Sequence, residues 1–303
     1  MTGLSHPFLM QRHHPHMPFL VTAAAVALFS LMDALMKHAS IAIGAYSALL
    51  LRSIIGTAIM VPLWRMRGGN WPAPGHLRIH ILRALVSGGM ALLFFHALTL
   101  LPMAEAVALS FISPLFALYL AAVMLGERIS GKAVMASALG LGGVILISMV
   151  RFQSDVPSGQ SLEGIAAVLV SAGLYAWNLV LQRQIAQIAP PADIALSQHA
   201  ITALVLLLFA PWLAVAPATS ELTILFLAAI LATISLLLMA WSYARAEAQA
   251  LVPVEYSGFL WAALFGWLFF AENVEIPTLV GGALIVVGCW IAAPRSEPEQ
   301  MAA

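Results

Sequence analysis

Asp33, Arg52, His96, Glu105 and Glu255 stand inside stretches that are otherwise apolar. A charged group at the centre of a bilayer-spanning helix costs about 2.5–3.5 kcal/mol to insert, so groups kept at that cost usually face a cavity or a partner. Their chemistry would be that of a path for a solute, an ion or a proton. Asp33 and Arg52 carry opposite charges on neighbouring segments. They could form a structural ion pair, or they could both touch a solute. Glu255 follows the helix-loosening Pro253 and precedes Tyr256 and Ser257. Its carboxylate could line a central cavity and take part in solute binding or proton coupling. His96 could line the same cavity or be a neutral packing residue. Glu105 is near enough to a segment end to be simply solvated, and Glu127 and Glu272 lie at segment ends, where turn-stabilising or interhelix contacts are the better reading.

Aromatic and amide side chains form a second set. Tyr175, Trp177 and Asn178 cluster on one segment, Trp241 and Tyr243 on another, and Tyr256 and Trp261 on a third. Trp177 and Tyr256, beside polar groups, could stack a planar or cationic solute. Trp64, Trp71, Trp212 and Trp290 fit the aromatic belt of a membrane interface.

The elements that must position these groups are ten apolar segments, at residues 19–37, 44–64, 80–100, 103–126, 132–150, 163–182, 194–215, 222–243, 250–270 and 277–293. About 20 apolar residues is the length that crosses a bilayer as a helix. Hydrophobic residues make up 62% of the chain and charged residues 9%, against about 25% charged in soluble domains. The class is therefore an all-α membrane protein, and the short connections between segments force antiparallel neighbours. Net charge is zero, so nothing speaks for nucleic acid. The run at 19–37 reaches spanning length behind a long tail, so it reads as a signal anchor rather than a cleaved leader.

Lys and Arg placement orients the segments. With a cytoplasmic N-terminus, the inner side holds Arg12, Arg65, Arg67, Arg78, Arg83, Arg128, Lys132, Arg183, Arg245 and Arg295, and the outer side holds Lys37 and Arg151. That asymmetry predicts both termini in the cytoplasm. Asp33, His96 and Glu105 then lie toward the outer face, and Arg52 about 8 residues, roughly 12 Å, below it. Asn178 and Glu255 lie toward the inner face. The stretch 68–75 reads as a turn-rich surface connector.

The chain repeats itself. Glu127 and Glu272 are 145 residues apart, and the same offset pairs Gly143 with Gly288, Asp33 with Asn178 and Lys37 with Gln182. Five segments per copy is an odd number, so the second copy enters the membrane from the other side. This is an inverted-topology repeat, in which two halves rock around a central site. The copies are expected at 19–150 and 163–293, with the polar stretch 152–162 between them. Ala136, Gly140, Gly143, Gly281, Gly282 and Gly288 give the fifth and tenth segments small faces for close packing. Those faces could also form a homodimer.

Four stretches carry a resemblance to a known family. They are Leu49-Leu-Leu-Arg52-Ser-Ile-Ile-Gly56; His80-Ile-Leu-Arg83-Ala with Phe94-Phe-His-Ala-Leu98; Ser113-Pro114-Leu-Phe116 leading to Leu125-Gly-Glu127-Arg-Ile-Ser130; and Val252-Pro253-Val-Glu255-Tyr256 leading to Leu260-Trp-Ala-Ala-Leu-Phe-Gly266-Trp267. Over essentially its whole length the chain resembles the drug/metabolite transporter superfamily, in its ten-helix EamA-type branch. The resemblance implies a secondary transporter of the bacterial inner membrane for a small-molecule solute. Members carry amino acids, S-adenosylmethionine, riboflavin and opine-type metallophores, some inward and many outward. Export of an amino-acid-like compound or opine-type metallophore is the favoured expectation, and uptake of a cofactor-like solute is the alternative. The family pattern has Gly-Glu after the ninth helix, where this chain has Ala271-Glu272.

Other classes fit less well. An intramembrane lipid-modifying enzyme needs ionisable groups gathered at one depth, whereas here they divide between two faces. A sensor needs an extramembrane domain to relay its signal. No HExxH, Cys pair or Gly-rich phosphate loop occurs, so no cofactor or metal is expected, and energy would come from an ion gradient, exchange or the solute's own gradient. His6, His13, His14 and His16 could hold a soft divalent metal, but a flexible tail is the better reading. Cys289 reads as a small apolar core residue.

Overall fold

The computed structural model describes residues 17–66, 68–69, 74–113, 116, 135, 138–147, 159–246, 251, 254–255 and 257–292. Among the described residues there are helices and turns and no strand. The helices are α1 (Met17–Met66), α2 (Pro74–Leu100), α3 (Met103–Ser110), α4 (Ala138–Ile147), α5 (Gly159–Ile188), α6 (Pro191–Leu207), α7 (Ala210–Leu213), α8 (Thr219–Tyr243), α9 (Gly258–Phe270) and α10 (Ile276–Ala292). Of these, α1, α2, α5 and α8 are long and apolar enough to cross a bilayer, while α4, α6, α9 and α10 are shorter apolar helices.

The first two expected segments form one continuous helical run, with no loop where the sequence suggested one. The break is a kink at Gly44, whose φ of 80° and ψ of 149° are open to a residue without Cβ. The two halves of α1 fold back on each other, so that Arg52 Nη1 reaches Met32 Sδ at 3.3 Å. The expected connector at 68–75 is shorter than it looked, because α2 already begins at Pro74. Proline at a first helical position loses no hydrogen bond and is pre-set for the turn. The seventh expected segment breaks after Leu207 and resumes as the short α7. Pro211 has no N–H to continue the ladder there.

Helices from the two halves of the chain interleave. α1 packs along α8, α2 runs between α5 and α6, and α9 packs against α1 and α3. The α2–α5 pair is antiparallel: Ser171 Oγ donates to the Met90 carbonyl at 2.9 Å, and further along His96 meets Glu163 at 2.8 Å. The small-residue faces pack within one chain, since a Cβ on Gly143 would stand 2.5 Å from the Gly281 carbonyl oxygen. Large apolar side chains such as Leu204, Leu260, Trp267 and Trp290 are exposed on the outside of the bundle, where lipid is their solvent.

Candidate functional site

At the centre of the bundle lies a cavity of about 280 Å³. Both halves of α1, α2, α5, α6, α8 and the residues leading into α9 contribute to its wall. Most of the exposed lining surface is apolar, with Phe29, Phe94 and Phe95 among it, yet half of the lining residues are polar and they include both charges. Such a wall can bury a solute and read it through oriented polar groups.

Asp33 and Arg52 line this cavity from the two halves of α1. Among the described residues no ion pair joins them within 4 Å. Arg52 instead leans over the Phe95 ring at 5.3 Å, and its Nε has no hydrogen-bond partner. Asn178 and Glu255 line the same cavity. The Glu255 carboxylate accepts two phenol hydroxyls, Tyr243 Oη on one oxygen and Tyr175 Oη on the other. These come from α8 and α5, so one carboxylate fastens three elements. Gln182, the repeat mate of Lys37, also reaches the wall.

His96 and Trp177 lie elsewhere. His96 is part-exposed on α2 and bonded to Glu163 of α5, away from the cavity. Trp177 sits 37% exposed on the outer face of α5, one residue before Asn178 and a quarter-turn round the helix. Tyr256, Glu127, Pro253, Trp71 and the histidines of the tail lie outside the described residues, as does the Cys289 side chain. Glu105 is not solvated at a segment end; it is 4% exposed inside the bundle.

Further polar groups of the wall escaped the sequence reading, Arg83, Gln198, His199 and Thr202 among them. Arg83, counted as an inner-side topology signal, is 3% exposed and lines the cavity. Its Nη1 donates to Gln198 Oε1 at 2.9 Å, and Gln198 in turn reaches Thr202 Oγ1 at 3.3 Å. His199, next on α6, packs against the Cα of Gly56 and meets Thr233 Oγ1 at 3.2 Å. The signal that could have found them is Gln198-His199 followed by Thr202, a polar cluster on one face of an otherwise apolar helix. Arg65, Arg78 and Arg245, by contrast, are exposed at helix ends.

Lys37, counted as an outer-side charge, is likewise buried. It donates to the Leu101 carbonyl at 2.8 Å and pairs with Glu272. Glu272 also accepts the Met103 amide at 2.8 Å. That cluster ties α1, the α2–α3 turn and the α9–α10 turn together beyond one end of the cavity.

The same architecture recurs in known proteins. The EamA-like transporter family matches residues 17–149 and again residues 162–293. The chain belongs to this family. It is a multi-pass membrane transporter of ten helices in two inverted five-helix repeats, and not an enzyme. It is 28% identical over 281 residues to the pseudopaline exporter of Pseudomonas aeruginosa, covering 92% of this chain and 96% of that one. It is 26% identical over 241 residues to a riboflavin transporter of Brucella anthropi, covering 77% and 82%. A Rickettsia prowazekii S-adenosylmethionine uptake transporter is 22% identical over 278 residues, covering 90% of each chain. A solved crystal structure matches with a TM-score of 0.62 at 24% identity, covering 91% of this chain and 96% of that one, which speaks for the fold.

Proposed function

We propose that this transporter moves a small polar or zwitterionic metabolite, of the amino-acid-like or opine-metallophore kind, outward across the inner membrane by alternating access. The observation that carries this reading is the mixed charge of the central cavity. Arg52 and Arg83 offer cations, and Asp33 and Glu255 offer carboxylates, within one mainly apolar wall. A solute with charge of a single sign would leave one set unanswered in a low-dielectric space, which is costly. Similarity to an exporter over nearly the whole chain supports the outward direction, while similarity to riboflavin and S-adenosylmethionine transporters keeps uptake of a cofactor-like solute as the second reading.

Asp33, Arg52, Asn178 and Glu255 are the solute or coupling contacts in this proposal. The repeats are taken as residues 19–150 and 163–293, with both termini cytoplasmic. Reporters inserted after residues 44, 69, 189 and 217 then read outside, inside, inside and outside; an outside signal after residue 69 reverses the orientation. A homodimer through α4 and α10 draws less support, because Gly143 and Gly281 already face each other within the chain.

The deciding experiment is flux. Metabolites of cells with and without the protein are compared, and the compounds that change are tested as labelled solutes in proteoliposomes. Protein-dependent outward flux of an amino-acid-like or opine-type compound supports the reading. Inward flux of riboflavin or S-adenosylmethionine instead would replace it with the cofactor reading.

A further inference from the structure

Several buried polar atoms around the cavity have no hydrogen-bond partner. Two are donors, Arg83 Nε and Arg52 Nε, and two are acceptors, Asn178 Oδ1 and Gln182 Oε1. Arg83, Asn178 and Gln182 are 3%, 8% and 6% exposed, so bulk water does not satisfy them. Buried polar groups in a folded protein are normally paired, and an orphaned group asks what enters to pair with it.

Arg83 is the best oriented of the four. Gln198 Oε1 accepts its Nη1, and Gln198 is itself tied to Thr202, so the guanidinium plane is held while its Nε has no partner. The packing sets the level. Ser171 bonds the Met90 carbonyl, and Gly89 lies against Leu174, so seven or so residues back along α2 Arg83 stands opposite the 178–182 stretch of antiparallel α5. Asn178 and Gln182 are four residues apart and share one helix face. An unpartnered guanidinium nitrogen and two unpartnered amide oxygens therefore belong to residues at one level of the same cavity wall. The carboxylate of Glu255 does not fill the need, because its two oxygens already take Tyr175 and Tyr243.

We propose that Arg83, oriented by Gln198, is a carboxylate-binding residue of the cavity, and that the solute carries, next to that carboxylate, N–H donors that satisfy Asn178 and Gln182. A planar guanidinium edge matches a carboxylate through two parallel hydrogen bonds, which a lysine ammonium cannot reproduce. The proposal rests on the transport reading in taking the cavity as the solute's path. It goes further by saying which end of the solute sits where.

The test uses the purified full-length protein in nanodiscs and thermal stabilisation as readout. The probes are the common amino acids, their N-carboxyalkyl derivatives and the corresponding carboxamides. At least one acid should raise the melting temperature, and its carboxamide should bind about tenfold or more weakly, the loss of one charged hydrogen-bonded contact. Arg83→Lys should narrow that acid-to-amide preference to within a few-fold. Gln198→Ala should narrow it too, through loss of orientation. A role in packing alone would lower stability in all variants and leave the preference intact. Equal binding of acid and amide, no stabilisation by any acid, or an unchanged preference in Arg83→Lys overturns the proposal. Acid-selective binding without flux in proteoliposomes would remove the transport reading and leave the carboxylate site standing.

Discussion

Lys37 and Glu272 form an ion pair across 235 residues of sequence, joining the first helix of one repeat to the end of the ninth helix of the other. The Lys37 side chain is 6% exposed and that of Glu272 18%. Breaking such a pair by removing one partner leaves an uncompensated charge, typically about 3–5 kcal/mol. Lys37→Met and Glu272→Gln should each lower the melting temperature in detergent by many degrees. The double variant should recover part of the loss, because neither charge is then stranded. Simple addition of the two losses in a double-mutant cycle would show that the pair contributes little.

Ala271 immediately precedes that glutamate and adopts the left-handed conformation, with φ of 53°. It closes α9, and the Glu272 amide bonds back to the Gly266 carbonyl at 3.1 Å. Glycine is the residue that takes this cap without strain. Ala271→Gly should therefore raise stability by about 1 kcal/mol. A melting temperature that falls or stays level would mean that the alanine methyl makes a compensating contact.

Gly142 and Gly143 are adjacent on α4 and should respond oppositely to the same change. A Cβ on Gly143 meets the Gly281 carbonyl oxygen at 2.5 Å and Ile285 at 2.6 Å, whereas one on Gly142 meets nothing within 4 Å. In a helix, alanine is favoured over glycine by roughly 0.5–1 kcal/mol. Gly142→Ala should be neutral or stabilising. Gly143→Ala should destabilise by about 1–3 kcal/mol through overpacking of α4 against α10. Matching melting curves for the two variants would rule out that helix contact.

Glu255 is held by two tyrosine hydroxyls at the cavity wall. Glu255→Gln keeps the shape and removes the charge. It should express normally and lose most solute flux, at least tenfold, or lose the dependence of flux on pH. Tyr175→Phe should have a smaller effect, since Tyr243 still donates to the other oxygen. Wild-type flux with an unchanged pH profile in Glu255→Gln would take this carboxylate out of the mechanism.

Hydropathy, charge asymmetry and the 145-residue offset made the membrane class, the ten segments and the two-fold repeat readable from the chain alone. These properties are local or periodic, and the bilayer imposes them on every helix regardless of its neighbours. Cost of insertion likewise singled out Asp33, Arg52 and Glu255, which the fold brings to one cavity. What the sequence could not give is which way a side chain points around its helix. In a soluble protein the polar face marks the outside, but here lipid covers the outside and an apolar wall lines the inside. Trp177 and Asn178 are neighbours in sequence, yet one faces outward and the other the cavity. Arg83 looked like a surface charge beside Arg78, and only the approach of α6, carrying Gln198, turns it into a held guanidinium in the interior. The pairing of Lys37 with Glu272 has the same cause: no local pattern records a contact made when two inverted halves close around a shared centre.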